Sequence, residues 1–328
     1  ILLFMGHNPI WLMKPGDVVT SQAIDWLSKN SDKPFFLFVH YYDPHEPLDP
    51  PEPYASMYPP DTVDPESKSY EVEKYLADLH ALYRGEVTKM DESIGDLFKW
   101  LNDKNLMQNT LVIIFADHGE SFEHKYYGHT DSIYNYVTHV PMIIVDPNTE
   151  SAGEKGKRVD TLVNLTDVFY TVLGFLKIDS SQFISLAQKD VRGAKNGWNH
   201  NLLGLIENPG NEKLSDERAG WNYVPTQSDL GWSISETSRP RYFGFMFPGN
   251  NLIYTPGCRN LEAYFHYYDI DNDPGEDNDL FKSVHWANEP FPDAPELLAN
   301  WSSNQSPSSS GAVNPLIREQ LKALGYVN

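Results

Sequence analysis

The chain has 328 residues, 40% of them hydrophobic and 13% aromatic, a composition that builds a packed core and excludes a disordered protein. Its 46 acidic against 25 basic residues give a formal net charge of -21, which argues against nucleic acid as a partner, because phosphate backbones are gripped by clustered Lys and Arg. An anionic small substrate would need a bound cation to set the local field.

Along the chain, Asp17 to Asn30 reads as a helix, with Val18, Ala23, Ile24 and Leu27 spaced for one buried face. Pro34 introduces Phe35-Phe36-Leu37-Phe38-Val39, a short apolar run that predicts a strand buried on both faces. A loop to about Pro65 follows, its many prolines excluding regular structure. From Tyr70 to Asn102 apolar residues recur at three- and four-residue steps, including Val72, Tyr75, Leu76, Leu79, Val87, Ile94 and Leu101, which predicts a long helix. Leu111 to Ala116 and Pro141 to Val145 predict two further strands, and Thr161 to Leu176 another helix. This order suggests a largely parallel sheet covered by helices. Beyond about Ser180 the texture turns polar and loses its period as far as Asp229. From Trp232 to Asp269 short aromatic strands such as Tyr242 to Phe247 and Tyr264 to Tyr268 suggest a small antiparallel sheet, closed by a helix near Leu316 to Leu324. No apolar run approaches the roughly 18 residues needed to span a bilayer. Because the chain opens at Ile1 rather than Met, the compartment is left open.

Two predicted strands end in polar clusters, Asp43-Pro44-His45 after the first and Asp117-His118-Gly119-Glu120 after the second. Open α/β sheets bind ligands at the carboxyl ends of their strands, so both clusters are candidates for one crevice. Asp117 and His118 form a mixed carboxylate–imidazole pair compatible with calcium, magnesium, manganese or zinc; the plain alternative is a solvated turn capped by Asp117. His45, stiffened between Pro44 and Pro47, is placed to donate to an oxyanion or protonate a leaving group, or is simply a surface histidine. Of His124, His129 and His139, the last precedes Val140-Pro141 and reads as packing at a strand entrance. His129, after Gly128, is the better site candidate.

The stretch Tyr83-Arg84-Gly85-Glu86-Val87-Thr88-Lys89-Met90-Asp91, running on to Leu111-Val112-Ile113-Ile114-Phe115-Ala116-Asp117-His118-Gly119-Glu120, resembles the sulfatase family of the alkaline-phosphatase superfamily. So do Lys33 to His40 with Asp43-Pro44-His45, His139-Val140-Pro141-Met142-Ile143-Ile144, Tyr268-Asp269-Ile270-Asp271-Asn272-Asp273-Pro274-Gly275-Glu276 and the ending Leu321 to Tyr326, all in family order. The resemblance implies an α/β fold with a largely parallel alkaline-phosphatase-like sheet flanked by helices. Residues 1–180 would be a partial core holding half of the metal and substrate site, and residues 181–328 a C-terminal subdomain with a small antiparallel sheet and a terminal helix. It implies Asp117 and His118 as ligands of a divalent metal, usually Ca2+, His45 as a sulfate contact near the leaving oxygen, and His129 as a further residue reaching the sulfate. The implied substrate is a sulfated small molecule or carbohydrate.

The family's nucleophile is a formylglycine made from Cys or Ser in a Cys/Ser-x-Pro-x-Arg motif. Cys258, the only cysteine, is followed by Arg259 and Asn260, and Ser238-Arg239-Pro240-Arg241 is followed by Tyr242 where Arg belongs. The formylglycine is therefore expected upstream of this chain, which alone would be inactive as a sulfatase. Two other readings stay open: a phosphodiesterase or phosphonate monoester hydrolase of the same superfamily, and a non-catalytic protein that keeps the fold and an anion pocket.

Overall fold

A computed structural model describes residues 14–125, 127–129, 132–148, 156, 158–179, 201–207, 224–228, 242–255, 262–286, 293–296 and 298–299. They fall into two compact units, residues 14–108 with Phe122–Tyr127, and Asn109–Ser121 with 128–299.

In the first unit helix α1 (Gly16–Asn30) packs on helix α2 (Tyr70–Asp103). The buried residues of α1 are Gly16, Thr20, Ala23 and Leu27, four- and three-residue steps that make one continuous face. Thr20 Oγ1 donates 2.8 Å to the carbonyl of the buried Ser93 and lies 2.7 Å from the Tyr41 hydroxyl. Val18, expected on this face, is exposed. The long helix runs one residue beyond the predicted span, but its buried stripe is made of small side chains, Ala77, Ala81 and Gly85, beside Leu76 and Leu101. The reason is a close backbone approach. A Cβ on Gly85 would stand 2.5 Å from the carbonyl oxygen of Tyr54, in the 3-10 turn Tyr54–Ser56 of the proline-rich loop. Val72, Tyr75 and Val87, read from periodicity as core, are exposed.

The segment Phe35 to Val39 forms no strand, and Phe36 and Phe38 are 66% and 48% exposed. The expectation of a strand buried on both faces is thus corrected. The run was read from its apolar residues alone, and these report burial only when neighbouring strands cover both sides.

In the second unit strand β1 (Val112–Phe115) pairs antiparallel with β2 (Met142–Val145) in the register Val112 to Val145 and Phe115 to Met142. No parallel pair occurs among the described residues, where element order had suggested one. Helix α3 (Asn135–Thr138) lies between these strands in sequence. Helix α4 (Thr166–Phe175) starts later than predicted because Asn164 and Asp167 cap it reciprocally. Asn164 Oδ1 accepts from the Thr166 N–H at 2.9 Å, and Asp167 Oδ2 accepts from the Asn164 N–H at 2.8 Å. Helix α5 (Leu203–Glu207) and strand β3 (Val224–Ser228) fall in the stretch without period, where neither was foreseen. Strands β4 (Tyr242–Phe247), β5 (Asn250–Thr255) and β6 (Tyr264–Asp269) complete the expected antiparallel sheet in the order β3-β4-β5-β6.

That sheet is buried on both faces. Phe243, Phe245, Phe247, Leu252, Tyr254 and Tyr267 form its main core with Ala294 and Leu298, while Ile253 and Tyr268 pack with Ile133 on the other side. Its aromatic residues are core, as aromatic strands usually are. No described helix is long and apolar enough to cross a membrane. The helix expected near Leu316 to Leu324 lies outside the described residues.

Candidate active site

Strand β1 ends at Phe115, and the polar turn Asp117-His118-Gly119-Glu120 follows directly. Gly119 is required there. Its N–H donates 2.7 Å to the carbonyl of Val137, and a Cβ would meet the Tyr136 carbonyl oxygen at 2.2 Å. Only a residue without a side chain lets the turn press this closely on α3.

His118 Nδ1 lies 2.9 Å from the carbonyl oxygen of Gly119. A carbonyl only accepts, so Nδ1 carries the proton and the lone pair is on Nε2, which stands 3.8 Å from Asp117 Oδ1. Asp117 Oδ1 also accepts the His118 N–H at 3.0 Å, and its side chain is 74% exposed. One carboxylate and one imidazole nitrogen with its second nitrogen tied to the backbone is a donor set suited to a divalent cation. It supplies two ligands, and no group of three or more His, Cys, Asp or Glu that could hold a metal ion occurs among the described residues.

His129 is brought to the same place. Its ring stacks on that of His118 with centroids 4.0 Å apart and an interplanar angle of 21°. The Glu120 carboxylate, only 6% exposed, receives its Nδ1–H at 3.2 Å. The hairpin explains the meeting, since the bridge between Ser121 and Gly128 sets residues 120 and 129 opposite each other. Glu120 carries no role in the sequence analysis, because its meeting with His129 depends on the register of the Ser121–Gly128 bridge.

His45 lies in the first unit. Its N–H donates 3.0 Å to the Tyr42 carbonyl, its ring packs 4.7 Å from that of Tyr42, and its Nδ1 donates 2.9 Å to the Glu46 carbonyl. Nearby, Asp43 Oδ2 accepts the Gly16 N–H at 2.8 Å, and burial pushes the Asp43 carboxyl above its ordinary range. His139 follows α3 and is exposed, not packed at a strand entrance.

The sequence matches the family model described as Sulfatase over residues 13–178. The chain belongs to the sulfatase family. This sulfatase-family chain is 28% identical to an arylsulfatase of Clostridium perfringens over 256 residues, which cover 70% of the chain and 51% of that protein. It is 29% identical to arylsulfatase K of Xenopus laevis over 138 residues, 41% of the chain and 25% of that protein. The chain thus spans about half the length of the Clostridium perfringens relative, whose matched share is 51%.

Among solved structures, it resembles a phosphonate monoester hydrolase of Agrobacterium radiobacter with a TM-score of 0.64 at 19% identity, over 87% of the chain and 60% of the other. A putative sulfatase from Bacteroides fragilis gives a TM-score of 0.61 at 19% identity, over 96% and 61%. A third, solved in complex with its substrate D-glucosamine-2-N,6-O-disulfate, gives 0.59 at 18% identity, over 90% and 72%. These likenesses establish the fold alone, the α/β alkaline-phosphatase type of the sulfatases.

Proposed function

We propose that the protein is a sulfuric ester hydrolase in which this chain supplies Asp117 and His118 to a divalent cation, calcium first, and His45 and His129 to the sulfate. What supports the reading is the sulfatase match over residues 13–178, which includes all four side chains. Alongside it, each of the three histidines has its Nδ1 tied to an acceptor. The chain covers about half of a curated relative, 51% of its length, so hydrolysis is proposed for the whole protein to which these residues belong.

A bound cation would supply Lewis-acid neutralisation of the sulfate oxygens. The chain's own residues do the rest. Asp117 and His118 Nε2 are the donors toward the cation. Glu120 fixes the ring of His129 through Nδ1–H, and as an imidazolium His129 would donate its Nε2–H to an oxyanion. His45, in its imidazolium form, gives the proton on Nε2 to the departing alcohol oxygen and keeps the Nδ1–H held by the Glu46 carbonyl. The substrate is proposed to be a sulfated small molecule or carbohydrate; one protein of similar fold was solved with a disulfated glucosamine.

The second reading is a phosphodiesterase or phosphonate monoester hydrolase of the same superfamily. The imidazole nitrogen of His118 in the donor pair favours it, because nitrogen ligands suit transition metals better than calcium.

The test is the protein in its full reading frame, assayed against an aryl sulfate and an aryl phosphodiester with calcium or manganese. Sulfate turnover that falls about 100-fold or more in His118→Ala supports the first reading, a loss in the range typical of removed catalytic groups. Preference for the phosphodiester selects the second. Turnover unaffected by His118→Ala overturns the assignment of the site.

A further inference from the structure

We propose that Glu276 is a positioning residue for the Asp117–Glu120 turn, acting through helix α3, and this rests on the reading of that turn as the metal and sulfate site. Glu276 lies in the segment Asp269 to Glu276, more than 140 residues downstream of the turn in sequence. It is an acid with 1% exposure and a φ of 55°, a left-handed backbone that a residue with a side chain rarely adopts. The turn that imposes this conformation is built deliberately. The Glu276 N–H donates 2.9 Å to the Asp273 carbonyl, and the Asp273 carboxylate accepts the N–H groups of Asp277 at 3.2 Å and Asn278 at 2.8 Å.

The carboxyl group so aimed makes two short bonds. Oε2 accepts the N–H of Asn135 at 2.6 Å, and Oε1 accepts from Nδ2 of Asn251 at 2.7 Å. Asn251 is a fully buried residue of β5, whose Nδ2 also lies 3.4 Å from the Ile133 carbonyl. Glu276 therefore pins the start of α3 to the C-terminal sheet. That helix is what the site turn rests on, through the Gly119 N–H on the Val137 carbonyl and the bare Cα of Gly119 beneath Tyr136. The carbonyl of Gly119 in turn holds the His118 tautomer. Three consecutive links thus run from Glu276 to Nδ1 of His118, the ring whose other nitrogen would bind the cation. A buried carboxyl side chain on a strained backbone, with one oxygen on the start of α3 and the other on the C-terminal sheet, is placed for orientation.

The experiment uses the whole chain and two variants. Glu276→Gln keeps the shape of the side chain and turns one of its two acceptors into a donor. Asn135→Pro deletes the single N–H at the first position of α3, where proline suits the helix and the extended Tyr134 before it (φ -63°, ψ 160°). Side-chain nitrogen resonances of the histidines and calcium affinity by titration calorimetry are recorded. In both variants the His118 and His129 signals should shift while those of His45 and His80, in the other unit, stay in place. Calcium affinity should fall about tenfold, the lower end for loss of an outer partner of a metal ligand. Unmoved His118 and His129 signals in either folded variant overturn the proposal, as does failure of both to fold, since a residue needed by the whole fold is not a positioning residue. Wild-type protein that binds no calcium, with the histidine signals still moving in the variants, refutes the calcium reading of the site and leaves the role of Glu276 standing.

Discussion

A methyl group on Gly119 tests the packing on which the site depends. In Gly119→Ala the new Cβ would lie 2.2 Å from the Tyr136 oxygen, 3.2 Å from the Tyr136 carbonyl carbon and 3.3 Å from Val137 Cα. All three are backbone atoms, so no side chain can rotate away. To reach ordinary van der Waals contact the carbonyl must retreat by about 1 Å, since such contacts begin near 3.4 Å. That retreat also stretches the 2.7 Å bond from the Gly119 N–H to Val137. Overpacking of this kind costs about 1–3 kcal/mol and a weakened buried hydrogen bond about 1 kcal/mol, giving about 2–4 kcal/mol together. Native-state hydrogen exchange at Ile113 and Ile144, the paired amides of β1 and β2, measures it in the unit that holds the turn. Protection within about 0.5 kcal/mol of wild type, the range of an innocuous surface change, would mean that Gly119 is not seated against α3 and that the route to His118 is wrong.

Gly95→Ala is the counterpart: it sits inside α2 with nothing within 4 Å of its Cβ position, so it should stabilise by about 0.5–1 kcal/mol in urea unfolding. Thr171→Val should cost about 1–3 kcal/mol, because Thr171 Oγ1 accepts the Leu202 N–H at 3.0 Å and valine leaves that buried donor unmet; thermal unfolding reads it. Burial first, and then the carboxylate of Asp43, hold Glu86 protonated above the ordinary carboxylate range. The native state thus binds this proton more tightly than the unfolded chain. The stability it brings is complete below the unfolded pKa and is lost as pH rises through the raised one. Glu86→Gln keeps an acceptor for the Asp49 N–H, bonded at 3.0 Å, and carries no charge. Its urea midpoint should therefore gain on wild type between about pH 4 and pH 7, the span above an ordinary glutamate; a difference that does not change with pH refutes the assignment.

Helix α2 was legible because a 34-residue amphipathic pattern has no competing interpretation. Its buried side was not. Periodicity weights large apolar residues, whereas the contact with the proline-rich loop needs the slight side chains of Ala77, Ala81 and Gly85. The Asp117-His118 pair announced itself by following an abrupt apolar run. The partners that hold the site were hidden for different reasons. Glu120 needed the hairpin register that sets it against His129, and Glu276 needed a fold that brings it to Asn135, 141 positions away. Local sequence carries the proposed ligands; the groups that orient them come from long-range pairing. Phe36 and Phe38 show the converse limit, where an apolar run is no promise of cover.

Those two phenylalanines are exposed on an apolar segment that forms no strand. Exposed apolar runs of this sort recruit whatever β-forming polypeptide is available. Produced by itself and concentrated, the chain should cling to its own copies along residues 34–39, and its colloidal behaviour would then report on that flank before any assay of chemistry is begun.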